Sequence, residues 1–277
     1  MASVLYAIER HFAGVPPVSH LSRSHLADAD AEGATVDHSL WTACLEAHVA
    51  VDRDGHARVD YAGISADPRF DEYVEVLASA PPKQSLAPAE RLALYMNAYN
   101  VLAIGHIVLH ERRSTQPVGS LTELSTPQCK VWDLPAGIIC GELVTLGEIE
   151  HVHLRGEWDE PAIHACIVCA SISCPNLRTE AFVASRLRAQ MDEQMRALLS
   201  HPTKGMQWEP GLLPGFCSTL RLSRILLWFA ADFGGEAAAA RFAVEARGDA
   251  ELASRYRSTP MVSRRFFGYD WSINRAR

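Results

Sequence analysis

A long apolar segment without internal proline constrains the fold of this 277-residue chain more than any other feature. Pro88 suits the first turn of a helix, and Ala89–Leu109 contains no helix breaker except Gly105. Apolar side chains lie all round such a helix: Leu92, Tyr95, Met96, Tyr99, Leu102 and Ile104. Because a helix that is apolar on every face has to be buried, the segment predicts a central helix on which other elements pack.

Shorter elements are predicted on both sides of this helix. Thr145 and Glu148 form a capping-box pattern that opens a helix to about Arg155. The pattern of apolar residues predicts further helices over residues 37–49, 70–77, 179–200, with Thr179 as N-cap, and 223–232. The aromatic tail of residues 267–274 is expected to dock on the fold. Together these elements predict a single α+β domain, with the buried central helix and other helices packed against a small sheet.

The segment His164–Asn176 carries the most informative residues for function. Ala162–Ala170 is short, has no charge, and lies between Pro161 and a serine-rich turn, which predicts a fully buried strand. Cys174 then follows in the turn that leaves the strand, just before a predicted helix. A fold can expose a thiol and lower its pKa at such a place, so Cys174 is a candidate nucleophile. The alternative is a buried thiol that packs as a small apolar residue.

A cysteine nucleophile needs a base, and two histidines are candidates. A straight strand would separate His164 from its far end by roughly 20 Å, so pairing with Cys174 requires the chain to fold back. His151, on the preceding short helix, is the reserve. Glu150 on that helix would orient an imidazole. The alternative for Glu150 and Arg155 is a solvated charge pair with a neighbouring residue. The alternative for each histidine is an ordinary hydrogen-bonded side chain.

The cysteines indicate reduced thiols. Their number is seven, which is odd, and their spacing is irregular, as expected for a cytoplasmic protein rather than a disulfide framework. Cys166 and Cys169 form a CxxC pattern, but three steps along a strand put two side chains on opposite faces. The predicted strand therefore argues against a shared zinc ion, a disulfide or a redox role for that pair.

Two asparagines share one face of the predicted central helix. Asn97 and Asn100 are three residues apart, in otherwise apolar surroundings. Buried amides cost stability unless they are hydrogen-bonded. They are therefore predicted either to anchor a loop or to orient catalytic side chains, as the asparagine does in a Cys-His-Asn arrangement.

The composition bears on possible partners. The formal net charge of −7 is opposite to the basic surface that nucleic-acid binding requires. No uninterrupted apolar run reaches the ~18 residues of a membrane span, and the first ten residues lack the pattern of a signal peptide. We therefore expect a cytoplasmic protein whose partners include neither nucleic acid nor a membrane.

Several segments of the chain resemble, in order, the DUF547 domain, a family of unknown function found in bacteria, plants and animals. They are Tyr95–Asn100, Leu146–Arg155, His164–Pro175, Leu222–Phe233 and Tyr269–Asn274. The resemblance spans residues 59–274, and the departures are mild, with Tyr95 and Met96 where the family has Trp and Ile. It implies a DUF547-like domain over residues 51–277, preceded by an N-terminal helical and loop extension over residues 1–50. The implied motif positions are Asn97, Asn100, Glu150, Arg155, His164 and Cys174.

This residue set is similar in content to the thiol sites of papain-like and transglutaminase-like enzymes. His164 precedes Cys174 in the chain, which reverses the papain order, so a papain-like fold would have to be permuted.

The leading hypothesis is a cysteine-dependent acyl-transfer enzyme, a hydrolase or transferase that acts on an amide, peptide or thioester bond. Cys174 attacks the small-molecule or peptide substrate, His164 carries the proton with His151 in reserve, and Glu150 or an asparagine orients the imidazole. This chemistry needs no cofactor and no metal. One alternative is a non-enzymatic interaction domain with a buried polar network, and another is a zinc site that uses His164 and Cys174. The sequence leaves the oligomeric state open.

Overall fold

The computed structural model describes residues 23–26, 32–114, 116–212 and 216–276, and these form two compact units. The large unit contains the described residues of Ser19–Met191 and Asp270–Arg277, and the small unit contains those of Asp192–Tyr269. The large unit is therefore discontinuous in sequence, with the small unit inserted between its two parts. Helices and strands occur in both units, which confirms the predicted α+β class. The predicted boundary at residue 50 stays a prediction.

The large unit is mainly helical. Its α-helices are α1 (Ser39–His48), α2 (Tyr61–Ala66), α3 (Pro68–Ala78), α4 (Pro88–Arg113) and the single turn α5 (Leu146–Glu148), and α6 (Leu187–Ser200) begins in it. Two antiparallel hairpins are formed by β1 (Val49–Val51) with β2 (Ala57–Val59) and by β3 (Pro135–Ile139) with β4 (Glu142–Thr145). A π-helix (Ile149–Leu154) continues α5, and short 3₁₀ helices cover Lys83–Ser85, Leu121–Leu124, Val131–Asp133, Pro161–Ala165 and Ala184–Arg186.

The long helix α4 is the buried central helix that the sequence predicts. Pro88 occupies its first turn, and Leu92, Leu94 and Met96 are completely inaccessible to solvent. By length and composition α4 would be able to cross a membrane, but 89% of its most apolar window is buried inside the protein. Each fully buried leucine contributes roughly 1.5–3 kcal/mol relative to an exposed one. The helix therefore provides the core of the large unit.

Two of the other predicted helices begin at clear capping signals. Helix α3 begins at Pro68, and the side chain of Asp67 accepts a hydrogen bond from the backbone N–H of Arg69. The predicted capping box at Thr145 is confirmed, since the Thr145 hydroxyl accepts from the N–H of Glu148 and the Glu148 carboxylate accepts from the N–H of Thr145. The helix that follows changes from α to π winding after one turn.

The prediction of a helix starting at Thr179 is wrong, because α6 begins only at Leu187. The preceding backbone is held by a side chain instead. Gln190 accepts a hydrogen bond from the N–H of Val183 at 2.9 Å and donates to the carbonyl of Ala181 at 2.9 Å. These bonds satisfy backbone groups that a longer helix would have paired internally, so the segment stays extended.

The small unit contains the three-stranded sheet. Its strands are β5 (Met206–Pro210), β6 (Cys217–Leu222) and β7 (Met261–Phe266), in the order β5-β6-β7. Strands β6 and β7 are parallel and therefore need a long crossover. The crossover contains α7 (Arg224–Trp228), a 3₁₀ turn (Ala230–Phe233), α8 (Glu236–Ala246) and α9 (Ala250–Ser258). The predicted helix over residues 223–232 is confirmed as α7 with its 3₁₀ continuation.

Candidate functional site: a cysteine turn beside the central helix

The prediction of a strand over Ala162–Ala170 is wrong. Residues Pro161–Ala165 form a 3₁₀ helix, and irregular backbone follows. The segment is buried as predicted, but Asn100 satisfies its backbone in place of a sheet. The Asn100 amide donates to the carbonyl of Cys166 at 2.9 Å and accepts from the N–H of Val168 at 2.8 Å. The separation that a straight strand would impose between His164 and Cys174 therefore does not apply.

Asn97 makes the same kind of contact with the segment that follows Cys174 in the sequence. Its amide donates to the carbonyl of Phe182 at 2.8 Å and accepts from the N–H of that residue at 2.9 Å. Asn97 is 1% exposed and Asn100 is 3% exposed. Both therefore anchor loops, which is one of the two roles that the sequence predicts for them. Because the anchored segments lie before and after Cys174, this anchoring positions the cysteine turn.

A tight turn, residues 169–174, brings two cysteines together. Ala170 has a φ of +63°, a left-handed conformation that costs a non-glycine residue roughly 1–2 kcal/mol. The N–H of Cys174 donates to the carbonyl of Ser171 at 3.1 Å. The N–H of Cys169 donates to the Cys174 Sγ atom at 3.2 Å, and the two Sγ atoms lie 2.6 Å apart. Cys169, which forms a CxxC pattern with Cys166 in the sequence, is the neighbour of Cys174 in the structure.

The C-terminal tail holds this cysteine turn in place. Four hydrogen bonds connect the two segments: Asn274 N–H to the Ala170 carbonyl (2.9 Å), Ile172 N–H to the Ser272 carbonyl (2.8 Å), Ser173 N–H to the Asp270 carbonyl (3.2 Å) and Asp270 N–H to Ser173 Oγ (2.8 Å). The Asn274 side chain also accepts from the hydroxyl of Tyr61 at 2.6 Å. These bonds confirm, for residues 270–274, the prediction that the aromatic tail docks on the fold.

The π-helix carries the predicted acidic and basic site residues. Glu150 and Arg155 are buried, and His151 is half-buried. Arg155 Nη1 lies 2.8 Å from His151 Nδ1. Because a guanidinium can only donate, Nδ1 must be the acceptor, which places the proton of a neutral imidazole on Nε2. In this arrangement His151 has no ring nitrogen ready to take a proton from a thiol. π-Helices are rare and are found frequently at functional sites.

Tyr99 is a buried phenol on α4 whose pKa is affected by Glu150 and by the cysteine turn. Burial raises the pKa of the Tyr99 phenol well above its usual value, and the nearby Glu150, Cys169 and Cys174 raise it further, although a hydrogen bond with Trp132 acts in the opposite direction. The phenol therefore stays protonated. Glu150 and Cys174 thus share the surroundings of one buried hydroxyl. The convergence of His164, itself 3% exposed, with these two residues in one cleft stays a prediction.

The sequence reasoning missed several members of this site. Cys169 was hidden by the incorrect strand, and Asn274 is remote in sequence. Tyr61, at the first position of α2, is likewise remote from the cysteine turn in sequence. Tyr99 had a usable signal, because it lies between Asn97 and Asn100 on the central helix.

A different cluster brings together ligand types that suit a metal ion. Cys44, His48 and Asp67 place a sulfur, a ring nitrogen and a carboxylate oxygen within 4.8 Å of one another. Asp67 is already bonded to the guanidinium of Arg69, with contacts of 2.6–3.1 Å, and to His48 Nε2 at 2.8 Å. Burial, with a smaller effect of Asp67, raises the pKa of Cys44 to about 12. The arrangement is a neutralised ion-pair network around a protonated thiol, and the zinc site predicted at His164 and Cys174 stays a prediction.

Comparison with known families gives one match. Residues 83–199 match the family model of DUF547, described as a protein of unknown function. Over these residues the chain is similar to the DUF547 family. The DUF547 region includes all of α4, the π-helix and the whole cysteine turn, so the resemblance drawn from the sequence is confirmed over these residues. No curated protein and no solved structure shows significant similarity to the chain.

Proposed function

We propose that the protein is a cysteine-dependent acyl-transfer enzyme with Cys174 as its nucleophile. The observation that carries the proposal is the backbone N–H of Cys169, which donates to the Cys174 sulfur at 3.2 Å. A hydrogen bond from an N–H group favours the charged form of its acceptor, and the thiolate is the reactive form of cysteine. The bond is formed inside a turn that the tail and Asn100 hold in position.

In the proposed reaction the Cys174 thiol proton passes to His164, and the sulfur forms a bond to the carbonyl carbon of an amide, peptide or thioester. The bond to the leaving group then breaks, and that group takes the proton from the imidazolium. Water or an amine next attacks the thioester and releases Cys174. Glu150 orients the imidazole. Because Cys174 is 3% exposed, the adjoining Cys169 side chain has to move before an acyl group reaches the sulfur.

Acylation of the reduced protein tests the nucleophile. A small activated ester, p-nitrophenyl acetate, is added and the acetylated residue is located by mass spectrometry of peptides. We expect acetyl on Cys174, with no acetylation in Cys174→Ala and full acetylation in the control Cys129→Ala, which removes a half-buried cysteine of the same unit. Acetyl groups that appear only on other cysteines would refute the assignment.

Iodoacetamide labelling across a pH series tests the base. Cys174 should label faster than the other six cysteines, with a midpoint below the ~8.5 of a free thiol. His164→Ala should slow the reaction more than His151→Ala, because His151 Nδ1 already accepts from Arg155. If Cys174 reacts only after unfolding, it is a core thiol.

A second candidate is a non-enzymatic interaction domain. It is favoured by the loop-anchoring bonds of Asn97 and Asn100, which account for their burial without any catalytic role. An inert Cys174 in both experiments would support this candidate over the enzyme.

A further inference from the structure

The two sulfurs of the cysteine turn are placed for a covalent bond with each other. Cys169 and Cys174 are not joined by a disulfide, and their Sγ atoms lie 2.6 Å apart. A disulfide bond is about 2.05 Å long, so a small movement of the side chains suffices to form one. We propose that Cys169 and Cys174 form a reversible disulfide, which makes the turn a site of oxidative modification.

The backbone of the turn is already in a closed conformation. The left-handed Ala170 reverses the chain between the two cysteines. Hydrogen bonds with the tail fix Ala170, Ile172 and Ser173 of the turn. A disulfide that forms within a fixed loop does not require the chain to be ordered first. The folded protein therefore holds each thiol at a high effective concentration relative to the other.

Solvent exposure shows how an oxidant reaches the pair. Cys174 is 3% exposed, whereas Cys169 is half-buried and gives access from outside. The nearby Cys166 is 1% exposed, and its thiol donates to the carbonyl of Ala162 at 3.3 Å. The CxxC pair of Cys166 and Cys169 is therefore not the redox unit, and the unit is formed by Cys169 with Cys174.

The oxidant is a low-molecular-weight disulfide. One cysteine of the pair loses its proton and attacks this disulfide, which forms a mixed disulfide and expels one small thiolate. The other cysteine then loses its proton and attacks the protein sulfur of the mixed disulfide, which expels the second small thiolate. The two protons end on the two expelled thiolates. In total the cysteine pair is oxidised by two electrons and the small disulfide is reduced to two thiols.

The disulfide does not require Cys174 to be catalytic, so it is tested separately from the proposed function. The full-length protein is equilibrated with reduced and oxidised glutathione at graded ratios. Free thiols are then blocked with iodoacetamide, the protein is reduced, and new thiols are labelled with N-ethylmaleimide. Trypsin cleavage after Arg155 and Arg178 yields one peptide that contains Cys166, Cys169 and Cys174, and fragmentation assigns the label on each.

In the wild type we expect iodoacetamide on Cys166 and N-ethylmaleimide on both Cys169 and Cys174, increasing together with the fraction of oxidised glutathione. Mass before reduction should show the loss of two hydrogens and no glutathione. The control Cys129→Ser should behave as the wild type, and neither Cys169→Ser nor Cys174→Ser should form the link. A link that includes Cys166, a stable glutathione adduct in the wild type, or no oxidation at any ratio would overturn the proposal. The wild-type measurement decides even if a variant does not fold.

Discussion

Replacing Asn100 with leucine tests the anchoring of the cysteine turn most directly. The substitution keeps the number and branching of the side-chain heavy atoms but leaves the carbonyl of Cys166 and the N–H of Val168 without the bonds of 2.9 and 2.8 Å that Asn100 makes. Each buried group that loses its partner costs about 1–3 kcal/mol. The expected loss is therefore about 2–6 kcal/mol, which is a large share of the about 5–15 kcal/mol that stabilises a typical domain.

Urea unfolding monitored by tryptophan fluorescence and circular dichroism measures this loss as a lower transition midpoint. Asn100→Asp is an informative partner variant, because its carboxylate still accepts from Val168 but cannot donate to Cys166. Leu109→Asn is the matched control. It exchanges the same two residue types in reverse on the same helix, at a position that is 44% exposed, and should cost less than about 1 kcal/mol.

An unchanged midpoint in Asn100→Leu would refute the reasoning. It would mean either that water hydrogen-bonds to the two backbone groups in the variant or that the bonds of Asn100 contribute nothing to the free energy of unfolding. A loss no larger than that of Leu109→Asn would refute it as well, since the exposed control breaks no buried hydrogen bond.

Three further predictions concern titratable groups. Hydrogen bonds from Arg69 lower the pKa of Asp67, so the advantage of the wild type over Asp67→Asn in urea midpoints should be full above pH ~4 and decline as the pH falls below that. Burial lowers the pKa of His106, so the wild type should lose stability as the pH falls through ~6.5, and His106→Leu should lose less over the same pH series. Burial raises the pKa of Cys44 to about 12, so peptide mapping after iodoacetamide treatment at pH 8 should find Cys44 unlabelled in the native protein. A difference between wild type and Asp67→Asn that does not change with pH would contradict the first prediction. An equal loss of stability in wild type and His106→Leu would contradict the second, and rapid labelling of Cys44 in the native protein would contradict the third.

The parts of the fold that the sequence predicts well are those whose cause is local. Helix α4 is apolar on every face, and the capping box at Thr145 is a contact between residues three apart. The incorrect strand over Ala162–Ala170 shows the limit of such patterns. Its apolar run correctly predicts burial, but burial alone does not distinguish a strand from an irregular segment. The deciding partner is the side chain of Asn100, which is 66 and 68 residues away from the groups that it bonds.

The candidate site residues also divide into those that a local sequence pattern predicts and those that depend on distant contacts. Cys174, Asn97 and Asn100 are recognisable because polar or reactive groups stand in apolar segments, and the DUF547 match includes all three. The pairing of Cys169 with Cys174 depends on the left-handed backbone at Ala170, and no local pattern predicts that conformation for an alanine. The contribution of Asn274 depends on a tail that lies beyond the small unit in sequence.

The docking of the tail has a consequence for how the protein is made. The hydroxyl of Tyr61 and the side chain of Asn274 are 213 residues apart in the chain, and Ser173 and Asp270 are 97 apart. Contacts of such long range form late, after closure of the intervening chain. A ribosome that has completed the DUF547 region has therefore not yet produced the residues that hold its cysteine turn. During synthesis the cysteine turn therefore lacks its hydrogen bonds with the tail until the tail emerges. The turn reaches its final geometry only in a molecule whose translation has passed the small unit.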